Sequence, residues 1–123
     1  MLFRSKSWWD TVDLLASKMV GPYIKKDYKK YLPNIKAYMK SSDMWLNRTA
    51  IIHQLTYKSD IKLEILESAI LNVIDQKEFF LQKAIGWSLR QHAKTDVDYV
   101  KAFVSTHSQM SNLAKREALK HNL

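Results

Sequence analysis

Four alanines, Ala16, Ala50, Ala84 and Ala118, stand 34 residues apart each time, and that interval limits the possible folds more than any other feature of the chain. Their settings are LLAS, RTAI, QKAI and REAL, which the apolar periodicity places mid-helix. The stretches DMWLNRTAI and EFFLQKAIGW correspond more fully, running aromatic, apolar, basic and then Ala-Ile. A period of roughly 20–50 residues marks repeated supersecondary units, each too small to bury its own apolar face and therefore stacked on its neighbours. A small side chain at one depth of each second helix lets the stacked helices come close.

Apolar positions recur at helical spacing almost throughout, and no strand-like alternation interrupts them. Helices are predicted near 8–20, 33–41, 43–57, 61–75, 77–94, 96–106 and 109–121. Ser7 followed by Asp10 reads as a capping box, and Ser42-Asp43, Asp60, Asp75, Thr95-Asp96 and Ser108 read as further start signals. Both prolines, Pro22 and Pro33, fall in the first third, so the remainder is free to run as helix. The pattern leaves YIKKDYKKYLP, a basic and tyrosine-rich connection, without an assignment. Tetratricopeptide repeats share the 34-residue period, but their internal W-x-x-L-G-x-x-Y pattern is missing. HEAT-like helix pairs are therefore the expectation: an all-α fold, an α–α superhelix of about seven helices, in one domain over residues 1–123. The acidic helix 61–75, with Glu64, Glu67 and Asp75, reads as an outer member of its pair. The aromatic and basic helices beginning near 43 and 77 read as inner members lining a concave face.

Charge and composition narrow the function. The net charge is +8, distributed as +6 over residues 1–42, −2 over 43–76 and +4 over 77–123. A field of this sign favours a polyanion, with nucleic acid ahead of a membrane surface. The absence of cysteine excludes a disulfide scaffold and any Cys-based zinc site, and fits a reducing interior. No apolar run approaches the roughly 20 residues of a membrane span, and residues 1–7 lack the apolar core of a secretory signal. The chain is expected to be cytoplasmic. His53, His92, His107 and His121 show no metal-ligand spacing, and no P-loop, glycine-rich cofactor turn or Ser-His-Asp arrangement is present. No metal or cofactor is expected.

Three helices carry residues that a plain core does not require. On helix 8–20, Trp8, Val12, Leu15, Ala16, Met19 and Val20 form one apolar arc, and Asp13 lies at its edge, one turn from Trp9 on the same side. Asp13 is either a border carboxylate paired with a lysine or a group placed for chemistry. On helix 43–57, Arg48 falls in the middle of the arc of Trp45, Ile52, Leu55, Met44 and Ile51. A guanidinium there is either bridged internally, with Asp13 an obvious partner, or aimed as a bidentate phosphate ligand. On helix 77–94, Leu81, Ile85 and Leu89 suffice for docking, while Phe80, Lys83, Trp87, Arg90 and Lys94 share a different side. That side is either a tryptophan under lysine stems or the stacking-plus-phosphate combination of a nucleic-acid surface. The last helix, SNLAKREALK, reads as the cap of the stack, with Lys115, Arg116 and Lys120 on a solvated face.

The blocks WWDTVDLLA, SSDMWLNRTAI, KEFFLQKAIGWSLRQHAKTD and LAKREALK together resemble the DNA alkylation repair enzymes, bacterial alkylpurine DNA glycosylases of the AlkD type. The similarity spans nearly the whole chain, yet those enzymes are much longer, and the chain is similar to their C-terminal half. The resemblance implies a HEAT-like-repeat solenoid that grips double-stranded DNA on its concave face. It also implies hydrolysis of the N-glycosidic bond of N3- or N7-alkylated, cationic purines, leaving an abasic site. The family's aspartate falls on Asp13, its two cleft tryptophans on Trp9 and Trp87, and its cleft arginine on Arg48. With Lys83, Arg90 and Lys94 as further DNA ligands, these complete the candidate site. A non-catalytic DNA-binding helical module is the alternative; the tryptophan–aspartate–arginine set argues against a protein–protein adaptor. No membrane partner is expected, whereas a second copy or a separate N-terminal chain would cover an exposed solenoid end.

Overall fold

The computed structural model describes residues 21–120. The expectations for helix 8–20 with its capping box, for Trp8, Trp9, Asp13 and Ala16, and for His121 lie outside those residues. The fold is all-α, an α–α superhelix, with seven α-helices and no strand among the described residues. The helices are α1 (Gly21–Lys25), α2 (Tyr28–Lys40), α3 (Met44–Ile52), α4 (Leu63–Val73), α5 (Phe79–Ala93), α6 (Val97–Thr106) and α7 (Asn112–Ala118), with a 3-10 turn at Lys58–Asp60. Helix α5 packs most heavily on α7 and then on α3, so these three stack as one layer. Helices α2 and α4 meet behind α3, and α6 leans on α5 and α7. Among the described residues no helix is long and apolar enough to cross a membrane.

The stacked layer is where the 34-residue recurrence acts. Ala50, Ala84 and Ala118 lie in α3, α5 and α7, and each has no exposed surface. Ala118 closes α7 instead of lying mid-helix. Gly86 tightens the α5–α7 contact further: a Cβ built on it would lie 2.5 Å from Glu117 Cβ and 3.0 Å from the Ala114 carbonyl oxygen. The two backbones therefore approach as closely as a glycine permits.

Helix α2 differs from the predicted 33–41 because most of the unassigned basic connection is helical and Pro33 sits inside the helix. An interior proline costs about 3 kcal/mol through its missing N–H and ring clash. Burying Tyr28, Ile35 and Met39 along one stripe offsets that cost, at about 1.5–3 kcal/mol per large apolar side chain. The end of α2 is held from α3: Asn47 Nδ2 donates to the carbonyls of Tyr38, Met39 and Ser41 at 2.9, 3.0 and 3.0 Å. Gln82 of α5 repeats the device, its Nε2 reaching the carbonyls of Ile74 and Gln76 just beyond α4.

Helix α3 stops at Ile52, five residues short of the predicted 57. Tertiary hydrogen bonds overrule the local pattern there. His53 Nδ1 faces the Ala50 carbonyl at 2.7 Å and must donate, so Nε2 accepts from the Tyr28 hydroxyl at 2.8 Å. Gln54 clamps both the N–H and the carbonyl of Lys62, at 2.7 and 3.2 Å, and Tyr57 donates to the Gly21 carbonyl at 2.5 Å. Among the start signals, Asp43 and Asp96 do cap, accepting from Trp45 N–H at 2.8 Å and Tyr99 N–H at 3.1 Å. Asp60, Asp75 and Ser108 do not: helices α4, α5 and α7 begin two to three residues later, after Lys62, Glu78 and Ser111. Asp60 instead pairs with Lys25 at 2.8 Å.

Candidate functional site

The layer α3–α5–α7 positions every predicted site residue that lies among the described ones. Helix α5 buries Leu81, Ile85 and Leu89 completely, which turns Phe80, Lys83, Trp87, Arg90 and Lys94 to its other side. Of that row Phe80, Lys83, Trp87 and Arg90 are half-buried, and Lys94 is exposed. Trp87 packs against the core with one flank and reaches the surface with the rest.

Arg48 crosses from α3 to the first turn of α5. Its side chain is 3% exposed, its Nη1 donates to the Phe80 carbonyl, and its guanidinium carbon lies 5.9 Å from the Phe80 ring centre. Trp45 meets the same ring at 5.3 Å, and Phe79 meets it at 5.2 Å edge-on. A carbonyl and a π face offset part of the several kcal/mol that desolvating a cation costs. Phe80 precedes Trp87 by two helical turns, about 10 Å of axial rise, so Arg48 and Trp87 address neighbouring depths of one face.

A residue that sequence reasoning missed joins this face from α7. Glu117, with a side chain 14% exposed, accepts from Arg90 Nη1 at 3.0 Å and lies 4.0 Å from Lys83 Nζ. It stands over Gly86, whose missing Cβ makes the room. The signal in the sequence is Gly86 itself, placed three residues after one cation and four before another, a spacing that marks a close helix approach between them. Arg90 thus uses one edge of its fork on Glu117, and the planar guanidinium has further N–H donors. Lys83, with a side chain 44% exposed, and Lys94 present ammonium groups along the same ridge. The arrangement can grip a chain of phosphates beside an indole ring.

The buried histidine and tyrosines lie elsewhere and serve the fold. Burial pushes His53 down to about 4 and Tyr28 up to about 12, so each keeps its neutral form in the Tyr28–His53 hydrogen bond. Burial also lowers His92, which sits edge-on to Tyr99 at 5.5 Å.

Residues 1–122 match the family model of the DNA alkylation repair enzymes. Among solved structures, a predicted DNA alkylation repair enzyme from Enterococcus faecalis superposes with a TM-score of 0.84 at 34% identity. The superposition covers 98% of this chain and 55% of that one, so the chain spans about half the length of the structure it matches. No curated protein matches the chain.

Proposed function

This chain belongs to the DNA alkylation repair enzyme family, and from that premise we propose that it hydrolyses the N-glycosidic bond of N3- or N7-alkylated purines in duplex DNA. The observation that carries the reading is the α5 ridge, where Trp87 stands among Lys83, Arg90 and Lys94 beside the Arg48–Phe80 junction. In this reading the ridge cations hold the phosphate backbone, a sequence-independent grip suited to presenting damaged nucleotides of any context, while Arg48, buried and donating to the Phe80 carbonyl, steadies the start of that ridge.

The chemistry asks little of the protein beyond that grip. An alkylated purine is already cationic, so its departure needs no general acid. What must be stabilised is the positive charge that grows on deoxyribose as the bond lengthens. Asp13 supplies the carboxylate for that charge and orients the attacking water. Each 1.36 kcal/mol of preferential transition-state stabilisation is worth about tenfold in rate. Trp9 and Trp87 offer electron-rich faces to the cationic nucleotide and exclude water, which strengthens the carboxylate's field.

Release of N7-methylguanine from alkylated duplex DNA tests the proposal. Wild-type protein should leave abasic sites, and Asp13→Asn should leave none above background. A second reading, which the ridge cations support without any catalytic group, is a non-catalytic DNA-binding module. DNA binding with no base release at high protein concentration would establish it. The chain is further proposed to act in the cytoplasm, and a second copy or separate N-terminal chain to complete the clamp; a size measurement with and without DNA checks the latter.

A further inference from the structure

A cleft of about 190 Å³ opens between the connection 53–62 and the last turns of α5. Ile51, Leu55 and Leu66 give it an aliphatic floor, and two lysines face it from different elements, Lys58 from the connection and Lys94 from the end of α5. No tryptophan, tyrosine or phenylalanine lines it, and the one ring on its wall, the His92 imidazole, is buried at 6% exposure, which argues against a stacked base. Lys94 is also the last cation of the α5 ridge, so the ridge leads into the cleft.

Lys58 stands at φ 55°, the one non-glycine residue with a positive φ among the described residues. Glycine or asparagine adopts that conformation at lower cost, so a lysine there points to a use for its charge. The surrounding contacts hold the conformation in place. Gln54 clamps Lys62 on one side of Lys58, and on the other Tyr57 is anchored to the Gly21 carbonyl. Of the carboxylates nearest in sequence, Asp60 is paired with Lys25 at 2.8 Å, while Asp96 caps α6 through the Tyr99 N–H at 3.1 Å and keeps its charge. Two ammonium groups at this end of α5 also offset the negative pole of its dipole, which would otherwise repel an anion.

We infer that this cleft is a phosphate site: Lys58 and Lys94 together take one backbone phosphate of the strand that the α5 ridge engages, and the aliphatic floor lies under the adjoining deoxyribose. The inference rests on the DNA reading above and extends the contact from α5 to the connection after α3, within the one acidic third of the chain.

A double-mutant cycle on the full chain tests it. Duplex binding is followed by fluorescence anisotropy across a salt series for wild type, Lys58→Asn, Lys94→Gln and the double variant. Asparagine keeps the positive φ at low cost, so Lys58→Asn should melt at or above the wild-type temperature while binding duplex three- to tenfold more weakly. Because the two lysines share one phosphate and either alone still neutralises it, each single variant should change the slope of log K against log salt little, and the double variant should lose about 0.9. A steep wild-type slope left unchanged in the double variant would overturn the cleft and leave DNA binding standing. A flat wild-type response would remove the DNA reading itself. A loss of about 0.9 in each single variant and about 1.8 in the double would show two separate surface contacts and overturn the shared site. Duplexes with and without terminal phosphates should suffer the same loss, and a loss confined to the phosphorylated ends would overturn the backbone form of the inference.

Discussion

His53 has no exposed surface and is hydrogen-bonded at both ring nitrogens, so it makes the stability of the fold depend on acid. Its ordinary value is 6.5 and burial brings it to about 4. A histidine depressed in the folded state contributes stability that is complete above 6.5 and is lost as pH falls from there towards 4, because the unfolded chain takes the proton first. Burial of His92 works in the same direction. At 1.36 kcal/mol per pH unit the loss from His53 is about 3 kcal/mol, and urea denaturation between pH 7.5 and 4 should measure it. His53→Gln, which can still donate and accept, should flatten that profile while lowering stability near neutrality. Arg48 shows how far single residues were legible. Its place inside an apolar arc marked it as special, and the structure gives it a backbone carbonyl on α5, a partner that no side-chain pattern could name. Glu117 was missed for the opposite reason: its meaning lies in Gly86, thirty-one residues away and in contact only through the fold.

Between elements, the close approach of α5 and α7 depends on one absent methyl group. Gly86→Ala would place a Cβ 2.5 Å from Glu117 Cβ, an atom too near its backbone to swing aside. Overpacking of this kind costs about 1–3 kcal/mol. The alanine returns up to about 1 kcal/mol of helix propensity. The expected outcome is a net loss of about 1–2 kcal/mol in urea denaturation. Duplex affinity should fall with it, as Arg90 and Lys83 move with the displaced helix. Asn47→Leu should cost a similar amount by leaving the Tyr38 and Ser41 carbonyls without that donor and the Met39 carbonyl with Asn72 in its place, about 1–3 kcal/mol for groups removed from water. From α2 onward helix existence and order were readable because apolar periodicity survives burial, whereas the short α1 was not foreseen. Helix ends were less readable. The stop at Ile52 and the late starts after Lys62 and Ser111 are decided by tertiary bonds and cap geometry, and the basic, tyrosine-rich run before Pro33 concealed the first turn of α2.

Taken as a whole, the molecule turns its repeat into a layered stack and gathers cations along one helix of it. Electrostatic attachment to DNA should fall steeply with salt, with a slope of about −3 if Lys83, Arg90 and Lys94 each meet one phosphate. Glu117→Gln, which removes the carboxylate from between two of them, should raise affinity at low salt. The recurrence of alanines was enough to foresee the stacking of α3, α5 and α7, and residues 1–122 matching one family accord with the resemblance seen in the motif blocks. What the recurrence hid was its companion. Asn47 and Gln82, at nearly equivalent places in α3 and α5, each tie off the helix before their own. A helix whose frayed end is knotted into its successor cannot melt by itself. In hydrogen exchange, amides at the close of α2 should therefore open together with those of α3, and those closing α4 with α5, so that the array comes apart by couples.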